Sequence, residues 1–287
     1  MNNGSRGAAK MTAGVDLGDK YSYLFVLDND SGEVVEEGRL RTTPDDLRRR
    51  FGPAERMNIA IEVGTHSTWI SRLLEECAHE VLIANSRKTR LIYGEKRKTD
   101  KLDAQKLARL ARVDPELLYP VKHRGARSQA HLALIHSRNA LIRSRTQLIN
   151  HVRGTVKSLG ARLPKCSAQS FHKKVAGQLP DELAETLEDI VATIASLTER
   201  IRNYDRRIEQ LSKERYPQET ELLRQVPGVG ALTSLAFVLT LEDPWRFEKS
   251  RSVGAYLGLV PGKDQSGESD PDKGISGEGT RCSGGLW

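Results

Sequence analysis

The sequence predicts an α/β domain built on a mixed sheet, then a long helical region with a coiled-coil pattern, then a small and mainly helical C-terminal domain. Three observations support this: strand-like segments fill the first third of the chain, a heptad repeat runs through its middle, and an apolar helix follows a Pro- and Gly-rich turn. We place the three domains at residues 11–120, 121–215 and 216–287.

The first domain has the apolar patterns of five strands. They fall at residues 11–17, 21–27, 33–40, 57–63 and 80–84. A helical pattern at residues 68–77 separates the last two. Strands that first form a meander and then alternate with helices indicate a mixed sheet with helices packed on it.

A basic block follows the first domain. Residues 121–180 contain twelve Lys or Arg and no Asp or Glu, within a chain of net charge +7. Such a block repels itself unless a polyanion neutralises it, so it predicts binding to a nucleic-acid backbone that weakens as salt rises. The alternative is an ordinary solvated helix face.

A second helical pattern repeats every seven residues without a break. Its apolar positions are Leu183, Leu187, Ile190, Ile194, Leu197, Ile201, Tyr204, Ile208 and Leu211. This spacing is typical of a coiled-coil seam, which needs a partner helix. The basic block has a matching repeat, so the partner is either that block, in an antiparallel hairpin, or a second subunit. We expect the region to serve both nucleic-acid binding and self-association.

The last domain opens with VPGVG at residues 226–230, before an apolar helical stretch. This turn is similar to that of a helix-hairpin-helix, whose backbone amides bind a DNA phosphate. A plain helix start without a ligand is an equally good interpretation.

Several function classes are disfavoured. The three cysteines, Cys77, Cys166 and Cys282, are too widely spaced for a zinc ribbon, and their odd number fits a reducing cytoplasm better than a disulfide framework. No secretory leader or membrane span is expected, so we predict a cytoplasmic protein without a membrane partner. Nucleotide-binding motifs are absent from the sequence.

Two acids stand in otherwise apolar strands. Asp16 lies in GVDLG (14–18) and Glu62 in IAIEVG (59–64). A charge in such a strand is costly unless it faces solvent or binds a partner. If the two strands are neighbours, the two carboxylates can share one metal ion.

Asp100 and Asp103 are three residues apart at the start of a predicted helix, which puts them on one face. The alternative is that Asp100 caps the helix and Asp103 interacts with its dipole. Basic residues crowd this stretch, and carboxylate-bound metals beside a basic path are what two-metal phosphoryl transfer requires. The candidate nucleic-acid-binding residues, here and in the basic block, are Arg87, Lys88, Lys96, Arg97, Lys98, Arg124, Arg127, Arg138, Arg143, Arg145, Arg153 and Lys157.

Taken together, the four acids resemble a family signature. Asp16, Glu62, Asp100 and Asp103, in GVDLG, IEVGTHS (61–67) and KTDKLDA (98–104), resemble the DEDD tetrad of insertion-sequence transposases related to the Piv invertases. The segments LRQVPGVG (223–230), SVGAYLGLVP (252–261) and QSG (265–267) resemble the second domain of that family. The likeness covers nearly the whole chain.

The resemblance implies an RNase-H-like domain similar to the RuvC resolvase, with Mg²⁺ or Mn²⁺ held by the four acids. It implies a DNA transposase, or recombinase, that acts on element ends and target DNA, with Ser266 as nucleophile, a structured guide RNA and a dimer or tetramer. The end of the chain, GISGEGTRCSGGLW (274–287), departs from the family pattern and is expected to be a truncated or frameshifted tail. A structure-specific nuclease without a covalent step, or an inactive nucleic-acid-binding relic, remains the alternative.

Overall fold

The structure is a computed structural model that describes residues 9–89 and 99–259. The chain divides into two compact units between Arg124 and Gly125. Each unit is described by itself below. Among the described residues, no helix combines the length and the apolar character needed to cross a membrane.

The first unit is built on one five-stranded sheet. Its strands are β1 (Met11–Asp16), β2 (Tyr21–Asp28), β3 (Val34–Arg41), β4 (Asn58–Glu62) and β5 (Glu80–Ala84). Their order across the sheet is β3-β2-β1-β4-β5. β2 is antiparallel to both of its neighbours, whereas β1, β4 and β5 run parallel. The tight turns between the first three strands produce the antiparallel part, and the helical crossovers produce the parallel part.

The helices of this unit are α1 (Pro44–Phe51), α2 (Ser67–Glu76), α3 (Ser86–Thr89) and α4 (Asp100–Val113), with a 3₁₀ helix at Pro115–Leu118. α1 and α2 cover one face of the sheet, where alternate residues of β1 and β4 are buried. That core contains Ala13, Val15, Ile59, Ile61, Leu47, Phe51, Ile70 and Leu74. α4 covers the opposite face, with Ala104 and Ala108 near β2 and Leu107 and Ala111 near β4 and β5.

The contact between α4 and β1 is unusually close at Gly14. A Cβ atom on Gly14 would lie 2.0 Å from the Ala104 carbonyl oxygen and 2.5 Å from the Ala108 amide nitrogen. Both atoms belong to the helix backbone, so neither can move aside as a flexible side chain would. Only glycine permits this approach.

The predicted fold class is confirmed. A mixed α/β sheet precedes a helical region, and the strand order with a single antiparallel strand is the one expected of an RNase-H-like domain. Helix α1 was not anticipated from the sequence. Thr43 caps it by accepting from the Asp46 amide, and Pro44 and two acids occupy its first turn.

The second unit is dominated by two long helices. Its helices are α5 (Ala126–Ser158), α6 (Phe171–Val175), α7 (Asp181–Arg215), α8 (Pro217–Arg224), α9 (Ala231–Leu241) and α10 (Arg251–Leu257), with a 3₁₀ helix at Pro244–Arg246. α9 packs against α5 and α7, so the start of the C-terminal region belongs to the same unit as the hairpin. The predicted boundary between residues 215 and 216 stays a prediction.

α5 and α7 form an antiparallel hairpin within the chain. Leu132 and Ile135 near the start of α5 pack with Ile208 near the end of α7. Ile149 and Val152 near the end of α5 pack with Ile194 in the first half of α7. The heptad positions Leu187, Ile194, Ile201 and Ile208 are all buried by this pairing. Of the two partners that the sequence left open, the chain itself therefore supplies the helix that pairs with this seam. Self-association stays a prediction.

We predict that Gly14→Ala destabilises the first unit by roughly 3 kcal/mol, since the new methyl group must push α4 away from the sheet. Trp69 fluorescence during urea unfolding would measure this, with Trp245 and Trp287 replaced by Phe. Gly38→Ala, in β3 with nothing within 4 Å of its Cβ position, is the control. Equal midpoints for the two variants would contradict the proposed contact.

We predict that Ile201→Asp unfolds the hairpin rather than giving folded monomers, because it buries a carboxylate at a position only 4% exposed. The expected cost is about 3 kcal/mol or more. The loss of helical circular dichroism would reveal it. Ser196→Asp, at an exposed position of α7, should leave the helical signal intact. If the Ile201→Asp variant instead stays folded and its sedimenting mass falls, the seam pairs between subunits.

Candidate active site

Two of the predicted acids end adjacent parallel strands. Val15 of β1 lies opposite Ile61 of β4, so Asp16 and Glu62 are the next residues in register. Side chains alternate along a strand, which places both acids on the face of Gly14 and Ala60, the face that α4 covers. Both are partly exposed. The two carboxylates therefore lie side by side at the edge of the sheet where these parallel strands end.

Helix α4 brings its first turn to the same edge. Near its end, Arg112 donates from Nε to the carbonyl oxygen of Asn29 at 3.1 Å. Asn29 in turn hydrogen-bonds Lys10, just before β1 begins. Since Ala104 packs on Gly14 and Arg112 reaches the start of β1, α4 runs antiparallel to β1. Its N-terminal turn, with Asp100 and Asp103, therefore lies toward the end of β1 that carries Asp16.

The two aspartates of α4 differ in exposure. Asp100 is exposed, whereas Asp103 is partly buried. Thr99 is the N-cap, because its hydroxyl oxygen accepts from the Leu102 amide at 3.3 Å. The alternative that Asp100 caps the helix is thus wrong. Both acids are in the first turn, where the helix dipole favours negative charge.

The donor set suits Mg²⁺ or Mn²⁺, which prefer carboxylate oxygens. Within residues 9–89 and 99–259, however, no three His, Cys, Asp or Glu side chains converge closely enough to hold a metal ion together. Mg²⁺ is commonly bound by one or two carboxylates, with water and substrate phosphates completing the shell. The adjacent pair at Asp16 and Glu62 fits that mode better than a closed protein cage.

Hydrogen bonds to a buried serine stabilise the loop after Glu62. Ser67 is fully buried, and its hydroxyl donates to the Gly64 carbonyl at 2.8 Å while accepting from the Gly64 amide at 3.0 Å. With that proton committed, His123 donates from Nε2 to Ser67 Oγ at 2.8 Å. Ser67 is therefore a structural clamp rather than a nucleophile. Sequence reasoning missed it, since residues 67 and 123 are distant in the chain.

His66 and Asp19 were also missed. They lie in the two loops that follow Glu62 and Asp16, and their side chains hydrogen-bond at 3.3 Å. The only sequence signal was their position, four and three residues after the two strand acids.

The candidate nucleic-acid-binding residues separate into two groups. Lys88, Arg127, Arg143 and Lys157 are exposed, and Lys88 lies over the Tyr119 ring at 4.9 Å. Others stabilise the hairpin: Arg138 pairs with Asp205, and Arg153 donates to the Pro164 carbonyl while covering the Phe171 ring. Arg145 is only 6% exposed and contacts Thr198, a poor position for meeting a phosphate.

Other predicted sites lie outside the described residues or bear no ligand feature. Lys96, Arg97, Lys98, Ser266 and Cys282 are outside the described ranges, as is the side chain of Arg87. Arg124 is partly exposed. The VPGVG turn does join α8 to α9, with Gly228 at a φ of 86°. Both interpretations of that turn remain open.

Comparisons with known proteins agree with these features. The family model DEDD_Tnp_IS110, described as a transposase, matches residues 13–160. A second model, for the transposase IS116/IS110/IS902 family, matches residues 220–282. The first match holds Asp16, Glu62, Asp100 and Asp103.

Three curated relatives are similar along much of the chain. The transposase for insertion sequence element IS1111A of Coxiella burnetii is 28% identical over 65% of this chain and 52% of its own length. The putative transposase y4pF/y4sB of Sinorhizobium fredii is 29% identical over 72% of this chain and 53% of its own length. A probable family 20 transposase of Pseudomonas aeruginosa is 26% identical over 88% and 75%. The chain thus spans about half the length of the first two.

We predict that the first unit loses stability as pH falls below 6.5, the ordinary pKa of histidine. Burial lowers the pKa of His123, and Arg72 and Arg124 lower it further. The unfolded chain then binds the proton more readily, so the stabilisation is complete above the unfolded pKa and is lost as pH falls toward the folded pKa.

Urea midpoints at about pH 7.5 and about pH 5.5, read from Trp69, would measure this change. His123→Gln keeps a donor for Ser67 but cannot titrate, so its midpoint should depend less on pH. His131 also has a lowered pKa from burial but belongs to the second unit, so His131→Gln is the control. An unchanged pH dependence in His123→Gln would refute the assignment.

Proposed function

The chain belongs to the IS110 family of transposases, and we propose that it excises and inserts a mobile element by metal-dependent cleavage and rejoining of DNA strands. The observation that carries this proposal is the placement of Asp16 and Glu62 at the ends of neighbouring parallel strands, at the edge of the sheet toward which the first turn of α4 is directed. Packing alone does not explain two acids on adjacent central strands, and the family match includes both.

Asp16 and Glu62 would hold one divalent ion, Mg²⁺ or Mn²⁺, and Asp100 and Asp103 would contribute to a second. Such ions, when bound, activate the attacking oxygen of a phosphodiester and stabilise the leaving one. The register of β1 and β4 would set the spacing between Asp16 and Glu62. The contact of α4 with Gly14 would set the distance of Asp100 and Asp103 from the sheet.

Exposed basic side chains would bind the DNA and RNA backbones. Lys88 is beside the 3₁₀ helix of the first unit, and Arg127, Arg143 and Lys157 lie on α5. Each contact neutralises a phosphate, so affinity should fall with salt. Lys96, Arg97 and Lys98, which flank α4 in sequence, belong to the same proposal, as does Arg124. We exclude three arginines from this binding surface because their side chains contact other residues of the second unit: Arg138, Arg145 and Arg153.

The finer features rest on the resemblance described from the sequence. We propose Ser266 as the nucleophile, a structured guide RNA as a partner beside the element ends and target DNA, and a dimer or tetramer acting in the cytoplasm. A serine hydroxyl is a weak nucleophile until a metal or base activates it, so Ser266 would depend on a metal at the carboxylate edge, the edge of the sheet that carries Asp16 and Glu62. A protein–DNA adduct lost in Ser266→Ala distinguishes this mechanism from a simple nuclease.

We predict that Asp16→Asn reduces strand cleavage at least about 100-fold while DNA affinity changes little, because the amide cannot replace a charged metal ligand. The assay would use element ends, target DNA and guide RNA with Mg²⁺ or Mn²⁺. Asp45→Asn, at an exposed position of α1, is the matched control. Undiminished cleavage by Asp16→Asn, with the parent active, would reject the site.

A further inference from the structure

His66 occupies a defined place beside the carboxylate edge. It immediately precedes α2 and lies four residues after Glu62, while Asp19, its hydrogen-bond partner, lies three residues after Asp16. The contact therefore joins the two loops that leave the ends of β4 and β1. Any phosphodiester held between Asp16 and Glu62 would lie next to these loops.

Trp69 fixes which nitrogen of His66 carries the proton. Trp69 Nε1 is 3.1 Å from His66 Nδ1, and an indole nitrogen can only donate. Nδ1 is therefore the acceptor, which leaves the hydrogen of the neutral imidazole on Nε2. Trp69 is itself packed against the core of the sheet, and the two rings meet edge to face at 86°. The donor direction of His66 is thus set before any ligand arrives.

The present acceptor of that hydrogen is easily exchanged. His66 Nε2 is 3.3 Å from Asp19 Oδ1, and the Asp19 side chain is 88% exposed. Hydrogen bonds to a carboxylate are usually shorter, and an exposed pair contributes little to stability. Asp19 can therefore return to water at small cost when another oxygen takes its place.

We propose that His66 Nε2–H donates a hydrogen bond to a non-bridging oxygen of the DNA phosphodiester at the carboxylate edge, and that Trp69 is the residue that positions it. This inference rests on the proposed function and adds a substrate-contacting residue to it. A neutral donor suits this place, because a Lys or Arg would pair with Asp16 or Glu62 and compete with the metal.

Two substitutions separate this role from a merely structural one. His66→Phe keeps an aromatic ring beside Trp69 but has no donor. His66→Gln loses the ring but carries an amide N–H near the position of Nε2. If His66 contacts substrate, cleavage falls about 10- to 100-fold in His66→Phe and is largely restored in His66→Gln. If His66 only supports the fold, the ring-preserving variant is the better of the two.

The binding step is tested independently of cleavage by NMR of the imidazole nitrogens in the full chain. His79 supplies the internal control: its Nδ1 accepts from the Met57 amide and its Nε2 faces the Phe51 carbonyl, so it has the same tautomer but is buried. With Ca²⁺ present, a short DNA oligonucleotide should shift the Nε2 signal of His66 and leave that of His79 unchanged. Trp69→Phe should give His66 a mixture of tautomers.

The inference is overturned if bound oligonucleotide leaves His66 unmoved, or if His66→Phe cleaves as fast as His66→Gln. These failures differ from failure of the proposed function, which Asp16→Asn tests. If DNA shifts the His66 signal but Asp16→Asn cleaves as fast as the parent, the role of His66 in binding stands and the catalytic assignment of Asp16 fails. The control for Trp69→Phe is Trp245→Phe, which also removes an indole but at a 92% exposed position of the second unit.

Discussion

The close approach of α4 to β1 at Gly14 is the contact on which the candidate site depends. Because the helix backbone occupies the place of a Cβ atom, α4 lies closer to β1 than any other residue at position 14 would allow, with Ala104 and Ala108 as its contact residues. The same contact fixes how far the first turn of α4 stands above the ends of β1 and β4. A side chain at residue 14 would lift Asp103 away from Asp16 without altering either acid.

The hairpin shows why the basic block overstates the nucleic-acid surface. Arg138 pairs with Asp205 of α7, Arg153 covers the Phe171 ring, and Arg145 is buried beside Thr198. Asp205 of the antiparallel partner therefore neutralises Arg138, while the other two guanidinium groups contact neutral groups of the same unit. What remains for a polyanion is the exposed set, which includes Arg143 and Lys157.

Much of the first unit was predictable from the sequence, and the reasons for the gaps are physical. Apolar alternation located all five strands, and the strand acids Asp16 and Glu62 stood out because a charge in an apolar strand is costly. Helix α1 was missed although Thr43 and Pro44 are ordinary start signals. The clamp between Ser67 and His123 was not predictable, since it joins residues 56 positions apart. A heptad pattern states that a seam needs a partner, but not which helix supplies it.

The open arrangement of the carboxylates has a consequence for how metal and DNA would bind. With only the pair at Asp16 and Glu62 adjacent, and no three-ligand cluster among residues 9–89 and 99–259, the protein alone offers an incomplete shell for a divalent ion. Phosphate oxygens would complete it, so each ligand raises the affinity for the other by the same factor. A donor such as His66, fixed by Trp69, would strengthen that coupling because it holds the phosphate without adding a positive charge that competes for the carboxylates.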